Sequence, residues 1–303
     1  MVTSDRLPRR AAGFVTAAVT MAALAGCSTA PVATSGFDAA DLDAALGKVP
    51  ADLSAVHGLD LPLDRSVLTP TEELEVVKAR NTLMEHCLAD HGLEFTFPVV
   101  DPVRDAAKPR RYGLVDAGEA AAYGYRDPAV FAAHGTGTTA HQPPPDVVSA
   151  ITGVHAGKVG GRDVPAGGCA GEANRTLASD AKPGQEPVSF ALSGRSHEIT
   201  RTTPPVTAAA EAWSRCMAAA GFHYARPDAA INDPAFAAGR PSPHEITVAT
   251  QDVRCKESVG WVRAWVGVER AVQDVLVRRH TTDLLHEREH KQQQLAVARE
   301  VNG

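Results

Sequence analysis

Along this chain apolar residues recur at three- and four-residue spacings far more often than they alternate, which predicts a mainly α protein. Asp38 precedes an apolar-periodic stretch, with Phe37 and Leu42 placed as a hydrophobic staple and Gly47 as its end. Thr69, Pro70, Thr71 and Glu72 form a capping box with proline at the first helical position, so a helix should run to His91 and stop at Gly92. Asp116 with Glu119 opens a short helix toward Tyr123, and the stretches 147–151, 169–179 and 188–200 read as further helices. Thr203, Pro204 and Pro205 open another that ends at Gly221. Ser242, Pro243, His244 and Glu245 make a third capping box, whose helix is expected to continue past Gly260 almost to the C-terminus. Within it Trp261, Trp265, Val268, Val272 and Val275 form an apolar seam, suited to a core or to a partner helix. Residues 94–99 and 222–226 look extended, each directly after a helix stop, and 134–145, rich in Gly, Thr and Pro, reads as a surface loop. The expected fold is therefore several helices with short extended arms and a long C-terminal helix.

An internal echo runs through this pattern. With Cys87 set on Cys216, Ala89 falls on Ala218, Gly92 on Gly221 and Pro98 on Pro227, while Leu88 pairs with Met217, Leu93 with Phe222 and Phe95 with Tyr224. A glycine in the left-handed conformation after a helix lets the next apolar residue fold back onto the last turn. The stop itself requires neither the cysteine nor the distal proline, so the echo points to a duplicated unit and to two related halves, 69–200 and 201–303.

The N-terminus is of another kind. Arg6, Arg9 and Arg10 precede an uncharged run from Ala11 to Ala25, too short for the roughly 20 residues a membrane-spanning helix needs, and it closes on Leu24, Ala25, Gly26 and Cys27. This stretch resembles the lipobox of bacterial lipoproteins. The resemblance implies that residues 1–26 are a signal peptide, that the Cys27 thiol receives a diacylglycerol, and that Cys27 becomes the first mature residue. The residues after Arg9 and Arg10 are small, which favours general secretion over twin-arginine export. Residues 28–36 lack periodicity and read as the flexible part of a lipidated tether, 27–68, ahead of a single α-rich extracytoplasmic domain, 69–303.

That division changes the meaning of the composition. The full chain has 303 residues, a formal charge of −6 and five cysteines. Loss of residues 1–26 removes three arginines and one aspartate, leaving −8, which disfavours nucleic acid and anionic lipid as partners. No later segment is apolar for long enough to span a membrane, so the expected partners are the bilayer, through acylated Cys27, and an envelope protein. Four cysteines outside the reducing cytosol imply two disulfides among three connectivities, and the echo favours Cys87 with Cys169 and Cys216 with Cys255. The lipobox followed by a helix reading Cys, Leu or Met, then glycine, an apolar residue and an aromatic, resembles uncharacterised lipoproteins of high-GC Gram-positive bacteria, a resemblance that implies an address and no reaction.

Candidate chemistry is sparse. His286, Glu287 and His290 satisfy HExxH, in which two histidines one helical turn apart bind Zn²⁺ and the glutamate activates its water. Gln293 and Ala296 stand where a metzincin would have its glycine and third histidine, and only 13 residues follow His290. Ser179 and Lys182 fit SxxK, but Pro183 follows and no KTG triplet exists. Cys87 with His91 is a lone Cys/His pair without paired metal spacing. Tyr112, Tyr123 and Tyr125 with Arg110, Arg111 and Arg126 suit either a ligand cleft or ordinary half-buried packing. No cofactor motif is present: Gly135, Gly137, Gly160 and Gly161 lack the strand-to-helix setting of a phosphate cradle. The expectation is a non-enzymatic binding or accessory lipoprotein, with a zinc peptidase and a transporter-associated solute-binding protein as alternatives.

Overall fold

In the computed structural model, which describes residues 37–53, 58–98, 110–128, 143–154, 157–177, 186–237 and 240–303, the regular structure of those residues is eleven α-helices, two short 3-10 helices and one two-stranded hairpin. All of them belong to one contact unit, Val32–Gly303. The expected signal peptide, Cys27 and the flexible tether lie outside the described residues, as do Ser179, Lys182 and most of the 134–145 loop.

The capping signals place the helix starts. Asp38 and Asp41 cap α1, Ala39–Leu46, reciprocally, and Thr69 and Glu72 do the same for α2, Pro70–Asp90. Helices α3, Ala117–Tyr123, α4, Pro145–Thr152, α5, Gly168–Thr176, α6, Val188–Arg201, and α7, Pro204–Ala219, lie where the periodicity put them. A short α8, Pro227–Ile231, was not expected, because the apolar signal of five residues is too brief to read.

The long helix expected from residue 243 onward is instead three: α9, Pro243–Ser258, α10, Trp261–Arg279, and α11, Thr281–Asn302. Gly260 takes a left-handed conformation, φ 69°, which ends α9 and starts α10 in a new direction. At the second break the Thr281 hydroxyl donates back to Val277 O at 2.9 Å, the local side-chain bond by which threonine competes with helical continuation.

The two expected extended arms pair with nothing in a sheet. The only strands among the described residues are β1, Lys158–Val159, and β2, Arg162–Asp163, antiparallel and joined by Gly160 and Gly161 with φ of 58° and 79°. Both centre residues at positive φ make the tight type I′ connection, the setting in which a Gly-Gly pair is expected.

Helix α10 is the centre of the molecule. Trp261, Trp265, Val268, Val272 and Val275 are all buried, but so are Ala264, Val266, Ala271 and Leu276, so α10 is enclosed rather than striped. Around it pack α1, α6, α7 and α9. The apolar seam is therefore core, not a surface for a partner helix. A second core joins α7 and α9 through Trp213, Met217, Val248, Val253 and Cys255, and receives Leu114, Ala120 and Tyr125 from far upstream. A third lies between α2 and α11, built from Val76, Ala79, Leu295 and Ala298. The fourth is formed by Cys87, Leu88, Val147, Ala150 and Cys169. The two halves of the sequence are thus interlaced, with α11 lying along α2 and α3 against α9.

Candidate functional site

The described structure gathers its chemistry-bearing residues in three places, and each shows what its side chains are engaged in.

The first is the Tyr and Arg segment at 110–126. Arg111 pairs with the fully buried Glu269 of α10, to which Tyr112 also donates at 2.9 Å and Ser196 at 2.8 Å. Gln273, one turn further along α10, donates to Ser196 at 2.9 Å and accepts the amide of Leu63 at 3.1 Å. Lys256 donates to Leu114 O at 2.9 Å and to Asp252 at 2.8 Å, while Trp213 donates to the other oxygen of Asp252 at 2.8 Å. Glu245 accepts the amide of Tyr125 at 3.2 Å and pairs with Arg126. Three buried acids on α9 and α10 thus clamp one segment of the first half. Burial is the largest influence on Asp252 and Lys256, pushing the carboxyl up and the ammonium down, and each partner's charge opposes it. Tyr112 and Tyr125 are raised by burial and by the neighbouring acids. Arg111 and Tyr112 are thus engaged with the buried Glu269 and tie the first half of the chain to α10.

Asp252 and Glu269 carry no motif in the sequence, and Glu245 stands there only as part of a helix cap. The signal was present for one of them: Glu269 and Gln273 follow Trp265 at four-residue steps, a polar row running beside the apolar seam.

The second place is the HExxH stretch on α11. His286 and His290 approach, with ring centroids 4.5 Å apart, and His286 is exposed. Glu287 is engaged elsewhere. It accepts the Ser189 amide at 2.9 Å and the Ser189 hydroxyl, at the first turn of α6. A zinc peptidase needs that carboxylate for its water and a third ligand for its metal. Among the described residues, His286 and His290 belong to no group of three His, Cys, Asp or Glu side chains within metal-binding reach.

The third place is the cysteines. Cys87 is joined to Cys169 and Cys216 to Cys255, with Cα separations of 5.6 and 5.7 Å. These are the pairings favoured by the echo. In each unit the helix stop is the same: Leu93 N donates to Leu88 O at 2.9 Å and Phe222 N to Met217 O at 2.9 Å, around glycines with φ of 72° and 87°. The likeness ends there, since Cys169 begins α5 whereas Cys255 lies in the last turn of α9, and Pro227 opens a helix of its own. Gly168, φ 69°, lets the start of α5 pass against the carbonyl of Ile151, where a Cβ would collide, and so sets Cys169 beside α2. Next to this bridge stands His91, 6% exposed, whose Nδ1 lies 3.0 Å from Val159 O of the hairpin.

Compared with known proteins, the chain matches no family model, no curated sequence and no solved structure.

Proposed function

We propose that the chain is a lipoprotein held on the outer face of the cytoplasmic membrane by a diacylglycerol on Cys27, acting there as a non-enzymatic binding or accessory component of the cell envelope. The observation that carries this reading is Leu24, Ala25, Gly26 and Cys27 after a short uncharged run behind three arginines. Two acyl chains give lasting attachment where one gives only a marginal hold. No described helix is long and apolar enough to cross a membrane, so the reading rests attachment on Cys27 alone. The two bridged cysteine pairs agree with an oxidising compartment.

The accessory role draws on how the reactive-looking side chains are used: Glu287 caps a helix, and Arg111 and Tyr112 bind a buried acid. A two-lobed α/β solute receptor finds no support in a helical body whose described strands are two residues long.

The test is metabolic labelling with a fatty acid, followed by membrane fractionation of the wild-type chain and of Cys27→Ser. Label and membrane retention are expected in the first and absent in the second. Equal retention of the two, with no label, overturns the anchor. Crosslinking in intact membranes, with identification of the captured protein, addresses the accessory role. Peptide turnover by the purified, zinc-loaded chain overturns it.

A further inference from the structure

The helix stop at Gly92 and its twin at Gly221 make the same hydrogen bonds, yet the residue before the glycine is buried in the first unit and exposed in the second. Where the second unit has Ala220, the first has His91. Alanine there supports the same turn, so the turn does not explain a histidine kept almost wholly from water. A buried imidazole needs its nitrogens placed, and the surroundings supply one placement. The β1–β2 hairpin lies over His91 so closely that a Cβ on Gly160 would overlap the His91 carbonyl, and from that hairpin Val159 O receives Nδ1. With the proton fixed on Nδ1, Nε2 keeps its lone pair. This is the arrangement by which a backbone carbonyl orients a metal-binding histidine.

The other two ligands are adjacent. A ring nitrogen of His91 and the sulfurs of Cys87 and Cys169 all lie within 4.8 Å of one another, and among the described residues this is the only trio of such groups. A tetrahedral Zn²⁺ holds thiolate at about 2.3 Å and imidazole at about 2.0 Å, so its ligand atoms stand about 3.5–3.8 Å apart. Opening the bridge frees the two sulfurs to separate by side-chain rotation, on Cα atoms 5.6 Å apart. The second bridge has no such neighbour: Gln251 Nε2 lies 3.2 Å from the sulfur of Cys255, and an amide nitrogen has no lone pair to give a metal.

We propose that Cys87, His91 and Cys169 form a redox-gated site for a thiophilic d¹⁰ cation, with Zn²⁺ as its representative, closed in the bridged chain and open when the bridge is reduced. A dithiol gives the Cys87–Cys169 bond two electrons and two protons, becoming a disulfide itself and leaving two thiols. The cation then displaces both thiol protons and binds two thiolates and one imidazole, with water in the fourth position. Soft thiolate ligands select Zn²⁺ or Cu⁺ over hard cations. The proposal is independent of the lipid anchor, since it concerns only the folded body.

The test uses the purified full chain, reduced with a phosphine, given buffered free Zn²⁺, and then alkylated and mapped cysteine by cysteine. Zn²⁺ is expected to protect Cys87 and Cys169 and to leave Cys216 and Cys255 reactive, a comparison that needs no variant. Protection of both pairs alike, or of neither, overturns the site. His91→Gln, which keeps a polar side chain under the hairpin, is expected to raise the free Zn²⁺ for half-protection by at least about tenfold. An unchanged half-point overturns the role of the imidazole. Co²⁺ should give sulfur-to-metal charge-transfer absorption in the reduced chain and none in the bridged chain. Equal spectra in the two overturn the gating.

Discussion

Tyr112 donates its phenolic proton to Glu269 across 2.9 Å, joining two residues 157 positions apart. The same carboxylate receives Arg111 and Ser196, and no part of it reaches water. Breaking such a pair from one side leaves its partner buried and unmatched, which costs about 3–5 kcal/mol. Arg111 is about one-fifth exposed, so it can recover some hydration. Glu269→Ala is therefore expected at the lower end, about 3 kcal/mol, and Tyr112→Phe at about 1 kcal/mol. Urea denaturation of the three proteins checks the order.

The Asp252 and Lys256 pair offers a second comparison. Both side chains are almost wholly buried and one helical turn apart. Lys256→Met leaves Asp252 with the indole of Trp213 as its remaining strong donor, and a loss of about 3–5 kcal/mol is expected. The double variant Asp252→Leu, Lys256→Met removes both desolvation costs and should be more stable than either single variant. A double-mutant cycle by chemical denaturation measures this, and a double variant less stable than both singles would contradict it.

His197 stacks on Trp265 with centroids 4.4 Å apart, and burial holds its imidazole below the usual histidine value of 6.5. Arg111 and Arg201 push the same way, while Glu269 and Glu198 oppose them. The folded chain keeps this ring neutral where the unfolded chain protonates it. Its contribution is thus complete above pH about 6.5 and declines as the pH falls through that value toward the folded pKa. Thermal melts from pH 7 to 5 should show a steeper loss for wild type than for His197→Phe.

Glu287 and His286 separate a structural from a catalytic use of HExxH. Glu287→Gln weakens the acceptor at the first turn of α6 and should cost about 1 kcal/mol, the usual worth of a helix cap. His286→Ala, exposed on α11, should change stability by no more than about 0.5 kcal/mol. A catalytic use would instead make both variants equally inactive toward peptides while leaving melting unchanged.

The bridges close chain segments of 82 and 39 residues. On the chain-entropy account these are worth about 4.5 and about 4 kcal/mol. Replacing both cysteines of a pair with serine should therefore destabilise slightly more for Cys87 and Cys169, as measured in denaturant without reductant.

Helix starts were legible because they are local: Thr69 with Glu72, and Asp38 between Phe37 and Leu42, announce themselves within a few residues. Helix breaks were harder. Gly260 lies in a continuous periodic pattern, and nothing in its neighbours states that it takes a positive φ. The break before Thr281 carries no glycine or proline to mark it. The cysteine pairing could be read because the echo supplied a symmetry that composition lacks. The roles of Glu245 and Glu269 were hidden because their partners, Tyr125 and Arg111, lie more than a hundred residues away and become neighbours only through the tertiary fold; Asp252 and Lys256 stand one turn apart on a single helix, a spacing that does not distinguish a buried pair from a solvated one. The Gly160 and Gly161 turn was legible as a loop, but its target, His91, was not.

The interlacing of the two halves also sets an order in time. Of the four cores, only the one holding Cys87, Leu88, Val147, Ala150 and Cys169 is made entirely of residues from the first half. The α2 and α11 core waits for Leu295 and Ala298, and the others wait for α9 and α10. A chain emerging from its N-terminus can therefore complete one cluster early, while the others wait in turn for α9, α10 and α11. Cys87 and Cys169 would meet while most of the protein is still unfolded, and whichever partner reaches them in that interval, an oxidant or a metal ion, decides the state in which the remainder folds.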